Sequence, residues 1–191
     1  MIPKLQIAYP NETFFGHADH SPIAEKDAAA KAGLGVIGCH SLLINDKYGS
    51  YVFIGSILTS IAIDCQSFPI HFCNQCHHCI SRCPTQAISE NGIDISICLS
   101  AVSQKKNLTE NESELLKNNH IAWGCDICQS ACPFNAKREY TPIPYFQTQR
   151  HGAFTATEIE QMDNTTFSQY AFSWRGKTRI LNNLQNLFDR Q

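Results

Sequence analysis

The spacing of apolar and polar residues predicts a loop followed by a helix at the start of the chain. Pro3 and Pro10 argue against a helix in residues 1–15, so we expect this segment to be extended or loop. Ser21 and Pro22 suit the N-cap and the first position of a helix. Gly33 suits the residue just past the end of a helix, so the alanine-rich segment before it is predicted to be helical.

Two apolar segments follow, and a polar turn separates them. Residues 41–45 and 51–58 predict the two strands of a hairpin, with the turn at residues 46–49. The second strand is apolar on both faces, so we expect it to be central and buried.

Helical patterns recur along the rest of the chain. Helices or helix starts are predicted at residues 94–102, 109–117 and 157–162. Acidic residues near the beginning of the second segment favour a helix there. Residues 177–188 predict the last helix. Its apolar residues recur at helical spacing and indicate core packing: Ile180, Leu181, Leu184, Leu187 and Phe188.

A run of cysteines in the middle of the chain indicates chemistry as well as packing. The run has the spacing C-x2-C-x2-C-x3-C-P and consists of Cys73, Cys76, Cys79 and Cys83. This is the bacterial run that holds cubane iron–sulfur clusters. Two-residue gaps let the backbone curl so that three thiolates point at one cubane. The fourth cysteine, beside a proline, points away and in two-cluster proteins ligates the other cluster.

A second, shorter run completes the ligands for two clusters. Its spacing is C-x2-C-x3-C-P, and it consists of Cys125, Cys128 and Cys132. We prefer Cys98 to Cys65 as the eighth ligand because Cys98 lies between the two runs, so the chain can return to the second cluster. Two [4Fe-4S] clusters are predicted, and the last cysteine of each run binds the cluster held mainly by the other run. The first binds Cys73, Cys76, Cys79 and Cys132, and the second binds Cys83, Cys98, Cys125 and Cys128.

Two other uses of these cysteines fit the spacing less well. A disulfide framework suits short secreted domains, and cysteines with only two residues between them are poor partners for a bridge. Zinc takes four ligands per site. The thiols of this chain are grouped differently, in a four-cysteine run followed by a second run that ends in Cys-Pro, so zinc sites fit the spacing less well.

Composition narrows the class of protein further. The chain has 191 residues, 43% of them hydrophobic, and a formal net charge of −2, which allows a core but gives no general basic footprint for nucleic acid. The longest apolar stretch, residues 51–63, is too short and too interrupted to span a bilayer, so no membrane partner is expected. We find no targeting segment at the start. Many cysteines without export signals fit a reducing cytoplasm.

Several short blocks, in the same order, resemble the epoxyqueuosine reductase family. They are residues 19–25 (DHSPIAE), 31–35 (KAGLG), 38–45 (GCHSLLIN) and 48–50 (YGS), the segment 94–98 (DISIC), and residues 124–129 (GCDICQ) and 174–176 (WRG). The cysteine runs alone indicate only a ferredoxin-like module. The first two blocks make the resemblance specific, and it extends over nearly the whole chain after residue 15.

The resemblance implies an α+β fold in three parts. Residues 1–63 would form part of a nitroreductase-like α/β half on the cobalamin and substrate side. Residues 64–140 would form a ferredoxin-like double [4Fe-4S] module, and residues 141–191 a C-terminal helical segment.

The resemblance also implies an oxidoreductase that reduces epoxyqueuosine to queuosine in tRNA. Electrons from an external low-potential donor would pass through the two clusters to cobalamin, and a tRNA anticodon stem-loop would be the partner. The family's proton-donating acid corresponds to Asp19. Opening an epoxide leaves an alkoxide-like oxygen that needs a proton, and burial could raise the pKa of a carboxyl enough to supply it. The alternative is that Asp19 only caps the helix predicted from Ser21.

The sequence also departs from the family. Family members carry a substantial segment before the block that starts at Asp19, and longer members carry a C-terminal helical-repeat extension for tRNA. The chain is therefore interpreted as an N-terminally shortened member, either a truncated product or one half of an assembly. A ferredoxin-like electron-transfer protein, or a degenerate member without cobalamin chemistry, is the alternative function.

The remaining candidate residues carry weaker signals. Cys39 and Cys65 are expected to be small buried hydrophobic residues and not reactive thiols. His40 is expected to be a satisfied structural histidine, and the alternative is that it faces a cofactor from its place beside the glycine-rich connection. Three cations near Trp174 would either form a solvated helix face or contact RNA phosphates: Arg175, Lys177 and Arg179.

Overall fold

Residues 1–19, 21–148 and 152–188 are described by a computed structural model, which contains both helices and strands. The chain divides into two units. The first comprises Met1–Cys76 and Cys132–Tyr140, and the second comprises His77–Ala131 and Thr141–Gln191. The side chain of Phe188, predicted to extend the apolar stripe of the last helix, lies outside the described set.

The first unit combines two short helices with two small antiparallel sheets. Its elements are α1 (Ile2–Ala8), β1 (Phe14–Ala18), α2 (Glu25–Lys31), β2 (Val36–Ile37), β3 (Leu43–Ile44), β4 (Gly55–Thr59) and a 3-10 turn at Pro133–Asn135. β1 pairs with β4, and β2 pairs with β3. Ala29, Ala30 and Leu43 form the core between α2 and β3.

The second unit is mostly helical. Its elements are α3 (His78–Arg82), β5 (Ile88–Ser89), β6 (Gly92–Ile93), α4 (Leu99–Ser103), α5 (Glu110–Asn118), α6 (Ile127–Ser130), α7 (Pro144–Thr148), α8 (Ala156–Gln161), α9 (Asn164–Phe167), a 3-10 turn at Ser173–Arg175, and α10 (Lys177–Phe188). One core lies between α4 and α5, and another is formed by α8, α9 and α10. Within the described ranges, no helix is long and apolar enough to cross a membrane.

The expectation of a loop at the start of the chain is wrong. Residues 2–8 form α1, and Pro3 lies within its first turn. Proline is tolerated there because the first N–H groups of a helix have no intrahelical partner. The two prolines therefore limit where this helix begins and ends without preventing it.

The second helix begins later than predicted and ends as predicted. α2 starts at Glu25 with Ala24 as its N-cap, and the Ser21 hydroxyl instead accepts the N–H of Ile23 at 3.3 Å. At the other end, Gly33 has a φ of 74°. The N–H groups of Gly33 and the next residue donate to carbonyls in the last turn, at 2.9 and 3.0 Å. This is the Schellman arrangement that favours glycine.

The predicted hairpin is wrong, although its turn is present. Asn45 and Gly49 exchange backbone hydrogen bonds of 2.9 and 2.8 Å. The ladder stops there because the next N–H, that of Ser50, donates to the side chain of Asn135 and not to a strand. The chain then moves away, and β4 pairs with β1, with Phe14 opposite Thr59. β4 has no buried residue, so it is not the central strand expected.

The later helices agree with the sequence pattern, except that α4 begins at Leu99 and not at residue 94. α5 and α8 each begin with a threonine–glutamate capping box, formed by Thr109 with Glu112 and by Thr155 with Glu158. In α10, Ile180 and Leu184 are buried as the apolar stripe predicts.

Candidate iron–sulfur site

The first cysteine run leaves β2 through a short parallel pairing. The N–H of Ile37 donates to the carbonyl of His71, and the N–H of Cys73 donates to the carbonyl of Ile37, both at 2.9 Å. Cys73 is thereby fixed beside the strand. Gln75 and His77 follow with positive φ values of 52° and 61°. Left-handed residues of this kind turn backbone N–H groups inwards, as in the concavities that bind anions and iron–sulfur clusters.

Both runs end with a short helix, an extended cysteine and a proline. Cys79 lies in α3 and is 7% exposed, and Cys128 lies in α6, which packs against α3. Beyond these helices, φ and ψ are −70° and 114° at Cys83, and −74° and 123° at Cys132. An extended backbone at these positions turns each cysteine out of the helix that precedes it.

Helix α4 positions two further cysteine segments. Cys98 is its N-cap residue, and the carbonyl of Cys98 accepts the N–H of Val102 at 2.8 Å. At the other end of α4, the Ser103 hydroxyl accepts the N–H of Gly124 at 3.0 Å. Gly124 has a φ of 65° and leads directly into Cys125. One five-residue helix thus anchors the segments of both cysteines.

Cys132 lies among other thiols of the first unit. Burial raises the pKa of Cys132, and the negative charges of Cys76 and Cys73 raise it further. Such influences act only over short distances, so the structure brings these three thiols together.

A second group of thiols lies in the second unit. Burial raises the pKa of Cys125, and the charges of Cys98 and Cys83 add to that effect. Burial likewise raises the pKa of Cys128, to about 11, with contributions from Cys125, Cys98 and Cys79. The members of the predicted second cluster therefore lie near one another.

These thiol groups fit iron–sulfur clusters. Each thiolate opposes ionisation of its neighbours, and bound iron supplies the positive charge that reverses this effect. Among the described residues, no three His, Cys, Asp or Glu side chains are arranged around a single metal ion. The cysteines of a cubane each bind a different iron, so they stand further apart than the ligands of one ion. The division of the cysteines between two clusters stays a prediction.

Two thiols in these groups are stabilised as thiolates by nearby donors. Burial raises the pKa of Cys73, but the N–H groups of Gln75 and Cys39 and the Cys39 thiol outweigh it, and the net pKa is lowered. Burial also acts on Cys83. There the Thr85 hydroxyl, 3.6 Å away, and backbone N–H groups outweigh burial and lower the pKa.

Cys39 is a residue that sequence reasoning missed. It is half-buried, and its Sγ lies 3.7 Å from that of Cys73, so it is not simply an apolar filler. No spacing rule links the two positions; the pairing of Ile37 with Phe72 brings them together. Cys65, also expected to be buried, is exposed, so that expectation is wrong.

His40 is buried as expected of a structural histidine, but its buried Nε2 has no hydrogen-bond partner among the described residues. It is 2% exposed, and its Nδ1 accepts the N–H of Leu42 at 3.3 Å. Burial lowers the pKa of His40, and the positive charge of Lys26 lowers it further. A neutral imidazole is therefore the stable form in this fold near pH 7.

Asp19 follows β1 in an exposed turn with a φ of 59°. The helix-capping alternative is wrong, because α2 begins at Glu25 and no side chain caps it. A positive φ is uncommon for a residue other than glycine and costs about 1–3 kcal/mol. Among the described residues, nothing buries the Asp19 side chain, so the burial expected around it is not provided.

The comparisons with known proteins show which proteins the chain is similar to. A family model described as a 4Fe-4S double cluster binding domain matches residues 72–135. The epoxyqueuosine reductase of Aliivibrio fischeri is 42% identical over 125 residues, which cover 64% of this chain and 33% of that protein. The chain is homologous to the epoxyqueuosine reductases. The family resemblance in the sequence is thereby confirmed.

Solved epoxyqueuosine reductases share the fold. That of Streptococcus thermophilus superposes with a TM-score of 0.74 at 27% identity, covering 98% of this chain and 52% of the other. An epoxyqueuosine reductase solved with a tRNA-Tyr epoxyqueuosine-modified stem loop gives 0.76 at 23% identity, covering 97% and 51%. The chain spans about a third to a half of the length of the curated epoxyqueuosine reductases that it matches.

The resemblance to the epoxyqueuosine reductases implies cobalamin as a cofactor. An open cleft of about 470 Å³ in the first unit is lined by residues 1–3, 16–18 and 55–57. Drug-sized ligands occupy pockets of about 300–1,000 Å³, and a cobalamin is considerably larger than such ligands. The cleft lies beside the strand that leads to Asp19 and has mainly apolar walls.

Proposed function

We propose that this chain is an iron–sulfur oxidoreductase that acts in the reduction of epoxyqueuosine to queuosine in tRNA. The observation that carries the proposal is the double-cluster spacing of eight cysteines within a chain homologous to the epoxyqueuosine reductases. Residues 64–140 would act as the ferredoxin-like module and residues 1–63 as part of a nitroreductase-like half. Residues 141–191 would be a C-terminal helical segment that supports the module.

Two [4Fe-4S] clusters would supply one-electron transfer. Cys73, Cys76, Cys79 and Cys132 would hold one cluster, and Cys83, Cys98, Cys125 and Cys128 the other. Removing an epoxide oxygen takes two electrons and two protons, forms a carbon–carbon double bond and releases the oxygen as water. Two one-electron centres match this requirement, with an external low-potential donor refilling them.

Asp19 is proposed to deliver a proton to the oxygen. The breaking of a C–O bond places negative charge on that oxygen, and a carboxyl within hydrogen-bond reach can protonate it. Support comes from its place in the family block and from its left-handed backbone, since strained residues cluster at functional sites. Its exposure means that the substrate itself would have to exclude water from the carboxyl.

Trp174 and Arg175 are proposed to contact the RNA. Trp174 is 56% exposed, and the Arg175 guanidinium lies 4.1 Å from the centre of its ring. Unpaired RNA bases stack on aromatic rings and on guanidinium planes. Lys177 is a weaker candidate for phosphate contact, because its ammonium donates to the carbonyls of Glu160 and Met162.

Cobalamin belongs to the proposal through the family alone. The cleft of about 470 Å³ in the first unit is small for a group of that size, so cobalamin bound there would need further protein surface around it. An electron-transfer protein that delivers electrons to a separate catalyst is the second candidate function. It is favoured by the family-model match, which is confined to the double-cluster residues 72–135.

The proposal is tested by anaerobic reconstitution of the protein with iron and sulfide. A reduction assay on epoxyqueuosine-modified tRNA stem-loop follows, with and without added cobalamin. We expect about eight irons per chain and product formation that depends on cobalamin. About four irons, or zinc in place of iron, would contradict the two-cluster site. Eight irons without cobalamin uptake or turnover would support the electron-transfer protein.

The Asp19→Asn variant separates the proton donor from the electron path. It should keep both clusters and lose turnover, because an amide preserves the shape but cannot donate a carboxylic proton. Asp64→Asn, at another exposed aspartate, is the matched control and should keep turnover. Normal turnover in Asp19→Asn would remove Asp19 from the mechanism.

A further inference from the structure

Cys39 lies against a predicted cluster ligand although it belongs to neither cysteine run. Its Sγ is 3.7 Å from the Sγ of Cys73, and both side chains are half-buried. The backbone fixes this contact, since Ile37 forms two hydrogen bonds of 2.9 Å with the segment that leads to Cys73. Cys39 follows two residues after Ile37, so the thiols meet through strand pairing and not through a flexible loop.

The direction of the hydrogen bond follows from the chemistry of the ligand. A thiol is both a weak donor and a weak acceptor, so in the free protein either sulfur can donate. Once Cys73 binds iron as a thiolate, it has no proton to give, and Cys39 must be the donor. The backbone N–H of Cys39 also bonds to Cys73. Replacing the Cys39 side chain therefore removes one donor and leaves the other.

Cys83 has a matching partner in Thr85. The Thr85 Oγ1 lies 3.6 Å from the Cys83 Sγ, and the hydroxyl is the donor once Cys83 is a thiolate. Cys73 and Cys83 belong to different predicted clusters. Within the described ranges, each predicted cluster thus has a side chain that is not a ligand and that donates to one of its thiolates.

We propose that Cys39 and Thr85 set the reduction potentials of the two clusters, Cys39 for the cluster bound by Cys73 and Thr85 for the cluster bound by Cys83. The inference rests on the proposed two-cluster site. Reduction adds negative charge to a cluster and its thiolates, and a donated hydrogen bond stabilises that charge. Each donor therefore raises the potential of its own cluster and leaves the other cluster unaffected.

The test is a redox titration of the reconstituted full chain, followed by electron paramagnetic resonance. We expect Cys39→Ala to lower one potential, with a threefold to tenfold change in the equilibrium constant for reduction, or about 30 to 59 mV for a one-electron couple. Cys39→Ser, which keeps a donor, should restore most of the potential. Thr85→Val should lower the other potential. Cys65→Ala, at the exposed cysteine, is the control and should change neither.

Iron content separates this inference from the site on which it rests. Full iron content with unchanged potentials in Cys39→Ala would overturn the inference and leave the two-cluster site intact. Loss of iron in Cys39→Ala would also overturn it, because Cys39 would then be a ligand. Wild-type protein that holds no cluster would overturn both the inference and the proposed function. If Cys39→Ala does not fold, Cys39→Val fills the space without a donor, and the same comparison decides.

Discussion

The side chain of Asn135 forms two hydrogen bonds with Ser50. Its Oδ1 accepts the N–H of Ser50 at 2.7 Å, and its Nδ2 donates to the Ser50 hydroxyl at 2.9 Å. Asn135 is 2% exposed and Ser50 is 5% exposed. Asn135 also lies three residues after Cys132, and its Oδ1 occupies the space where a side chain on Gly49 would stand. The pair therefore holds the end of the second cysteine run against the turn at Gly49.

We expect Asn135→Ala to lower the free energy of unfolding by about 2 kcal/mol. The substitution leaves the buried N–H of Ser50 without its acceptor, and a buried unpaired group costs about 1–3 kcal/mol. Denaturant unfolding of the cluster-free protein measures the change. Asn91→Ala, in an exposed turn, is the matched control and should stay within about 0.5 kcal/mol of wild type. Equal effects of the two substitutions would contradict the argument.

Two neighbouring asparagines in α10 give a second comparison. Asn183 is 2% exposed and donates to the carbonyls of Ser103 and Ala122, at 3.0 and 2.7 Å. Asn183→Leu should lower the free energy of unfolding by about 1–3 kcal/mol, because the buried carbonyl of Ser103 and the partly buried carbonyl of Ala122 each lose a donor. Asn182→Leu, one residue away and exposed, should change it little. Thermal or denaturant unfolding of the two variants measures the difference. A larger loss of stability in Asn182→Leu than in Asn183→Leu would contradict this prediction.

Local signals in the sequence predicted the parts of the fold that depend on neighbouring residues. The capping box of Thr109 and Glu112 and the left-handed Gly33 are each satisfied within one helix turn, so composition and spacing suffice to find them. The cysteine spacing is local in the same sense, because each short gap already fixes the direction of the next thiol.

The contacts that sequence reasoning missed join distant positions. Ser50 and Asn135 are 85 residues apart, and Cys39 and Cys73 are 34 apart. The hairpin prediction failed for the same reason, since the N–H of Ser50 found a side-chain acceptor far along the chain. Sequence reasoning missed Asn183 because a polar residue in a helix is expected to be exposed, whereas here the buried amide donates to the carbonyls of Ser103 and Ala122.

Stability should fall on mild acidification because of His40. Burial lowers the pKa of His40 below its ordinary value of 6.5, so the unfolded chain takes up a proton at higher pH than the folded protein. This contribution is fully present above pH 6.5 and is lost as the pH falls from 6.5 towards the folded pKa. In His40→Asn, the side-chain oxygen can still accept the N–H of Leu42 but does not titrate. Unfolding free energies between pH 5 and 8 should therefore fall less steeply in this variant, and parallel curves would contradict the assignment.

The ligands at the ends of the two runs decide how the clusters are held. The extended backbone at Cys83 and Cys132 turns each cysteine away from the helix that precedes it. The thiol charges that act on Cys132 are those of Cys76 and Cys73, whereas those that act on Cys125 include Cys83. Both observations favour an exchange of the last cysteine of each run. Each cluster would then tie together segments that are distant in the sequence, so metal binding would also stabilise the fold.

Single alanine variants test the exchange through the cluster that survives. We expect Cys132→Ala and Cys76→Ala to lose the same cluster, each keeping about four irons with the same resonance signal and potential. Cys83→Ala and Cys125→Ala should instead keep the other cluster, since they share the second site. If Cys132→Ala matches Cys125→Ala, the runs are not exchanged. In the same series, Cys65→Ala should keep about eight irons. If Cys65→Ala loses iron and Cys98→Ala does not, Cys65 is the eighth ligand.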